Sequence, residues 1–444
     1  MQLIRARANE WRIDANQAGP YSGPHCAAEV TPMDPLDLGL MELRAALDAR
    51  DLSSVELMTA TLARVDAINP SRNAIVARVE PEVALAAARA LDRDPATAAG
   101  PAEVPRRLLR GIPQASKDTT ASRDIVTAWG SPLHANFLPD ADHVVVARMR
   151  AAGAIFIGKT NVPEFGYGSH SFNTVYGVTR NAFEPGLTAG GSSGGASVAV
   201  ATGMLSVADG SDVMGSLRNP AAFNRILGMR PTSGLVPNSP SPEGYLHSLA
   251  TCGPIARSVA DLAGLLAVQA GRDPRDPRSL PGDGAAFAEL ALDLAHGPSV
   301  EPRERLGQAG TGLRLAAGGA PRIGWLADLD GHLPMEEGIL GHCEAALALF
   351  EGLGAPIAPA RLGMSADEIW DSWLTARSFL IAGAQAALHA DPQKRAQMKP
   401  EALWEIERGL GLSALAAHRA SVSRTTFLQR WIDLFETFDF LALP

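Results

Sequence analysis

The chain has 444 residues, 46% of them hydrophobic and 20% charged, which excludes a mostly disordered polymer. A net charge of −9 without long basic runs argues against general nucleic-acid binding. Cys26, Cys252 and Cys343 form no CxxC pair, so no zinc site or disulfide framework is expected. Residues 1–33 are rich in turn formers and are read as an N-terminal extension, followed by one domain over 34–444. The first residues lack the apolar core of a signal peptide. No window reads as a membrane span, and the expectation is a cytoplasmic protein that binds no membrane.

In chain order, Ser53-x-x-Glu56 predicts a capping box at a helix start. Val55, Met58, Leu62 and Val65 then mark one buried helical face. Residues 82–92 read as an Ala-rich helix, 144–152 as a further helix and 154–157 as a short buried strand. A strand is expected to end near Ala208, with a polar turn after it and a helical stretch opening at Pro220. A helix is expected over 259–269. Residues 280–320 read as a surface excursion, least structured at 310–319. A strand over 321–326 precedes mostly helical stretches at 336–353, 366–389 and 401–437, and the chain closes on a strand from Phe438 to Pro444.

Three segments carry candidate chemistry. Gly190-Gly-Ser-Ser-Gly-Gly195 precedes small apolar residues, which places Ser192 and Ser193 at a helix N-terminus, where unpaired N–H groups favour negative charge. Taken alone, its serines could simply cap that helix. A phosphate-binding P-loop is excluded because no Gly-Lys-Ser/Thr follows. A nucleophile elbow, G-x-S-x-G, fits the letters at both serines, although the histidines from His247 to His418 sit in no recognisable setting for it. The second segment, Asp209–Pro220, holds Ser216 on a turn with neighbouring amides. The third holds Lys117 in the mostly uncharged run Gly111–Asp118. A buried lysine loses solvation of its charged form and can act as a base; a surface lysine paired with Asp118 is the plainer alternative.

Together the three segments resemble the amidase signature family of serine hydrolases. Gly158-Lys-Thr-Asn-Val-Pro-Glu-Phe-Gly166 and Gly228-Met-Arg-Pro-Thr-Ser-Gly234 add to the likeness. So do the separations of 75 residues from Lys117 to Ser192 and 24 from Ser192 to Ser216. The resemblance implies an α/β fold: a single amidase-signature domain with a large, twisted, mixed central β-sheet covered by helices on both faces. It implies a Ser–cis-Ser–Lys triad, with Ser216 as nucleophile, Ser192 as bridge after a cis Gly191–Ser192 peptide, and Lys117 as base. Ser193 would support the lysine. Backbone N–H groups of Val213, Met214, Gly215 and Ser216 would form the oxyanion hole, and Asp212 and Arg218 would brace their loop.

The implied reaction is hydrolysis of a small-molecule carboxamide through an acyl-enzyme, with no metal or other cofactor. The resemblance admits a homodimer. It also covers components of tRNA-dependent amidotransferases, and a catalytically impaired binding or scaffold paralogue is a further reading. Pocket walls are expected from 160–180 and 360–420, with Phe165, Tyr167, Trp370, Trp373 and Phe379 as apolar contacts. Three departures stand out. Met214 occupies a position where the family has glycine. Gln114 and Ser116 make the base segment more polar than usual. The chain also ends earlier than the family pattern, which is expected to trim core structure and part of the substrate wall.

Overall fold

In the computed structural model the described residues are 34–94, 104–246, 249–282, 284–295 and 320–444. The N-terminal extension and the stretch 310–319 lie outside them. The described residues fall into two units, one built from residues up to 295 and the other dominated by 320–444.

In the first unit, the Ser53 side chain accepts from the Glu56 amide, and Glu56 accepts from the Ser53 amide. This is the capping box at the start of the helix Ser54–Arg72, and it satisfies donors that no earlier turn can reach. Leu57, Met58, Leu62 and Val65 form its buried face. The helix ends at Asn73 in a left-handed conformation, and the Asn69 side chain takes the Ala74 and Ile75 amides. That turn delivers strand β1 (Ile75–Val76) to β3 (Ile155–Thr160), which also pairs in parallel with β2 (Pro113–Lys117). Every residue of β2 and β3 is buried. Strands covered on both faces are usually apolar throughout, so the polar residues in these two are unusual.

A short hairpin joins β4 (Phe172–Asn173) and β5 (Gly177–Val178). The helix Gly194–Ala201 follows, buried along nearly its whole length. A Cβ at Gly195 would stand 2.3 Å from the Asn161 amide and 2.5 Å from the Ala74 carbonyl, so only glycine lets the helix approach this closely. Strand β6 (Val207–Asp212) pairs antiparallel with β8 (Thr251–Ala256), which also pairs with β7 (Leu227–Gly228). Strand β6 continues four residues past the expected stop at Ala208, because Asp209 to Asp212 stay in register with Pro254 to Thr251. Strands β2 and β6 lie side by side. Both oxygens of the buried Asp209 carboxylate accept from the Lys117 amide at 3.3 Å.

The first unit has two apolar cores. One gathers around Leu40, Leu109, Met149 and Leu265, the other around Met58, Val198, Val200 and Ile255. The helix Val259–Gln269 is buried at nearly every position. Inside the stretch read as a surface excursion, Ala285–Ala295 is a helix with Ala288 and Ala291 buried. Its alanines and leucines carry helix propensity that the surrounding Gly and Pro obscured.

In the second unit, β9 (Ile323–Trp325) pairs in parallel with both β10 (Ile357–Pro359) and β11 (Phe440–Ala442). Arg322 holds Asp439 through two side-chain bonds of 3.1 Å at the start of that ladder. Among the described residues of this unit the helices are Ile339–Gly352, Ala366–Ala390, Pro392–Arg395, Pro400–Leu410 and Ala414–Thr437. The mostly helical stretch expected over 401–437 is two helices divided at Gly411. Ser413 starts the next helix by accepting from the Ala416 amide at 3.0 Å. No described helix is long and apolar enough to cross a membrane.

Candidate active site

Strand β2 ends on Lys117, whose side chain is fully buried. Its Nζ lies 2.8 Å from Ser192 Oγ, 2.9 Å from Ser211 Oγ and 3.1 Å from the Ser211 carbonyl. Three partners match the three positions around an amine nitrogen. Burial is the main influence on this amine and pulls it down to about 8, while Cys252, Asp212 and Asp209 act in the opposite sense. An ordinary lysine is almost wholly protonated at neutral pH, whereas a midpoint of about 8 leaves about a tenth of this one neutral at pH 7. Lys117 is therefore not the surface lysine paired with Asp118. The Asp118 carboxylate instead takes the Ala128 and Gly130 amides at 3.1 and 2.9 Å.

Ser192 stands in a loop held from several sides. The Gly191–Ser192 peptide is cis. Gly190 has φ +72°, and a Cβ there would come within 2.9 Å of Pro220 Cα. Ser171 Oγ accepts from the Gly194 amide at 3.1 Å. Ser193 occupies the N-cap of the helix Gly194–Ala201, yet its side chain makes no capping bond. Its hydroxyl faces β6 instead, donating to the Ser211 carbonyl and accepting from the Ser211 amide, each at 3.4 Å. Ser193 is thus linked to the lysine through Ser211. Among the described residues no histidine hydrogen-bonds Ser192 or Ser193, so the elbow arrangement has no partner there.

Ser216 lies on the turn that joins β6 to the short helix Arg218–Phe223. Its carbonyl accepts from the Ser193 amide at 3.2 Å, which ties the two serine segments together. Gly215 has φ +92°, a left-handed conformation open to glycine. Asp212 braces this turn. It accepts from the Gly215 amide at 2.7 Å, the Leu217 amide at 3.2 Å, and Arg218 through Nε at 3.0 Å and a terminal nitrogen at 3.2 Å. Arg230 reaches the Asp212 carboxylate at 3.3 Å and also its carbonyl. Burial alone would raise the Asp212 carboxyl, but the Arg218 bond and charge and the two amides hold it below the usual range. The Gly215 amide is therefore spent on the brace. Among the described residues the amides of Val213, Met214 and Ser216 are committed to no partner. Met214 is 43% exposed beside them.

Sequence reasoning overlooked Ser211, Asp209 and Lys159. Ser211 supplies two of the three partners of Lys117, but the only local hint is its place in the polar end of β6. Of the aromatic residues expected at pocket walls, Phe165 and Tyr167 pack at 5.7 Å in the first unit. Trp370 and Trp373 pack at 4.9 Å within one helix of the second unit, which also carries Phe379.

Comparison with known proteins gives a consistent result. The family model described as Amidase matches residues 56–297. An acylamidase from Rhodococcus erythropolis is 34% identical over 415 residues, covering 92% of this chain and 78% of that protein. A Glutamyl-tRNA(Gln) amidotransferase component from Solidesulfovibrio magneticus is 34% identical over 410 residues, covering 90% and 76%. The solved structure of a bacterial aryl acylamidase belonging to the amidase signature enzymes superposes with a TM-score of 0.78. It is 25% identical and covers 92% of this chain and 79% of that one.

Proposed function

The chain belongs to the amidase signature family, and on that premise we propose that it hydrolyses a small carboxamide to a carboxylate and ammonia or an amine. The catalytic unit in this reading is the single domain over 34–444. The observation that carries it is the buried Lys117 amine, lowered to about 8 and 2.8 Å from Ser192 Oγ. A serine hydroxyl is a weak nucleophile until a base takes its proton. Neutral Lys117 accepts the proton of Ser192 while Ser192 accepts that of Ser216, and the Ser216 oxygen adds to the substrate carbonyl. The tetrahedral oxyanion is received by the amides of Val213, Met214 and Ser216, and the Gly215 amide fixes the turn through Asp212. Collapse expels the amine, which takes the proton back through Ser192. Water then enters by the same relay and releases the carboxylate, leaving Ser216 free.

Every group in this scheme is a serine, a lysine or a backbone amide, so the reading assigns no metal or other cofactor. The test is a fluorophosphonate probe applied to the full chain, with adducts located by peptide mass mapping. Labelling at Ser216, absent in Ser216→Ala, supports the assignment. Labelling at Ser192 or Ser193 would transfer the nucleophile role to that serine.

A second reading is favoured by the likeness to the amidotransferase component. In it the same relay would release ammonia for a partner protein. Hydrolysis of simple amides by the lone chain, with no other protein present, separates the first reading from the second.

A further inference from the structure

Lysine occurs only four times, at 117, 159, 394 and 399, among 39 lysines and arginines. Two of the four, Lys117 and Lys159, are completely buried. A chain that meets nearly every cationic need with arginine therefore places lysine at two of its most enclosed positions. Guanidinium stays protonated in proteins, whereas an ammonium exchanges its proton when its surroundings demand it.

The two lysines have matching cradles. Lys117 Nζ meets two serine hydroxyls, of Ser192 and Ser211, and one carbonyl, of Ser211. Lys159 Nζ meets the hydroxyls of Ser116 and Ser122, both at 2.9 Å, and the Thr120 carbonyl. Lys159 stands opposite Ser116 in the β2–β3 register. Ser116 and Lys117 project to opposite sides of β2, so the two amines flank one strand.

Their charged surroundings are linked. Around Lys117 are Cys252, Asp212 and Asp209; Asp212 is already engaged by Arg218 and Arg230. Around Lys159 are Asp118, Asp209, Asp142 and Arg150, with His143 within its influence and Tyr176 within that of Asp118. Asp142 is paired with Arg150 at 2.9 Å. Burial lowers the Lys159 amine to about 8, as it does Lys117, and pushes the Asp118 carboxyl up to about 6 and the Asp209 carboxyl above its usual range, with Lys159 acting in the opposite sense on both. Neither Asp118 nor Asp209 has an arginine partner among the described residues, and Asp209 is common to both lysines.

We infer that Lys159 is a positioning residue for the Ser216 reaction. Its ammonium form offsets the charge of Asp118 and Asp209, and its bonds tie residues 116–122 to β3, so that Lys117 is not the one buried amine that Asp209 faces. The inference rests on the acyl-enzyme reading above and deepens it. Without the Lys159 charge, Asp209 would turn to the remaining buried amine, favour its ammonium form and withdraw it from base duty.

The test follows the lysines directly. Carbon-13 labelling of the lysine ε-carbons gives four signals in the full chain, assigned with Lys117→Met and Lys159→Met. In Lys159→Gln, which retains an N–H donor for the serine cradle, the Lys117 titration midpoint should rise by about one unit. That shift means about tenfold less neutral base below the midpoint. The acid limb of Ser216 phosphonylation should move to higher pH with it. Adding Asp209→Asn to Lys159→Gln removes both charges and should return the midpoint toward the wild-type value, with a higher Tm than Lys159→Gln alone.

An unmoved Lys117 midpoint in Lys159→Gln overturns the inference, as does a double variant that recovers neither midpoint nor Tm. If Lys159→Gln does not fold, recovery of folding in the double variant is the supporting result and its failure the overturning one. A wild-type chain without a Ser216 adduct would overturn the acyl-enzyme reading itself. An adduct together with an unmoved midpoint would overturn only the role of Lys159.

Discussion

The two halves of the site differ in their contact with water. Lys117, Ser192 and Ser193 are buried, whereas the turn that carries Ser216 is half-buried and Met214 at its centre is 43% exposed. In the proposed reaction the first half moves protons, and a dry setting lowers a lysine and strengthens short hydrogen bonds. The second half, which would meet the substrate in that reaction, stands at the surface on a turn stiffened from behind by Asp212. The comparison teaches that the proposed proton handling and acyl handling fall on separate segments, joined by the bond from the Ser193 amide to the Ser216 carbonyl.

Substitutions on either side sharpen that contrast. Ser216→Ala should reduce amide hydrolysis and probe labelling to background while leaving the melting curve in place; residual labelling would break the assignment. Lys117→Met should lower kcat by about 10²–10⁴-fold, the range a positioned base supplies. The wild-type kcat/KM should rise with pH and level off above a midpoint near 8, because the active form is the neutral amine. A profile flat from pH 6 to 9 would remove Lys117 from that role.

Smaller effects follow. Ser211→Ala removes one of three partners of Lys117, and a hydrogen bond worth about 1 kcal/mol predicts a fall in kcat of about five- to tenfold. Met214→Ala lies on the open side. Its stability should change by less than about 0.5 kcal/mol, and its effect should show as altered KM across amides with different acyl groups. If Met214→Ala proves more damaging than Ser211→Ala, the division into a dry half and an open half fails.

Much of this arrangement was legible in the sequence, for reasons that differ by element. The Ser53–Glu56 capping box is a local exchange of two bonds, and local chemistry can be read from letters. The three segments around Lys117, Ser192 and Ser216 were found because glycine, serine and lysine cluster unusually there. The end of β6 was misplaced because Asp209-Gly-Ser-Asp has turn composition, and only its pairing with β8 keeps it extended. The break at Gly411 hides in a helical run whose alanines and leucines favour continuation. Ser211 and Lys159 act through partners 94 and 43 residues away, and no window along the chain brings those together.

The scarcity of lysine has a practical consequence. With Lys117 and Lys159 enclosed, the remaining side-chain amines are those of the exposed Lys394 and the half-buried Lys399. Amine-directed dyes, cross-linkers or resins will find side-chain targets confined to one stretch of six residues, at the end of a helix in the second unit. The chain can therefore be tethered or tagged there with the amine of Lys117 left unmodified, and the same reagents under denaturing conditions would report when the buried pair becomes accessible.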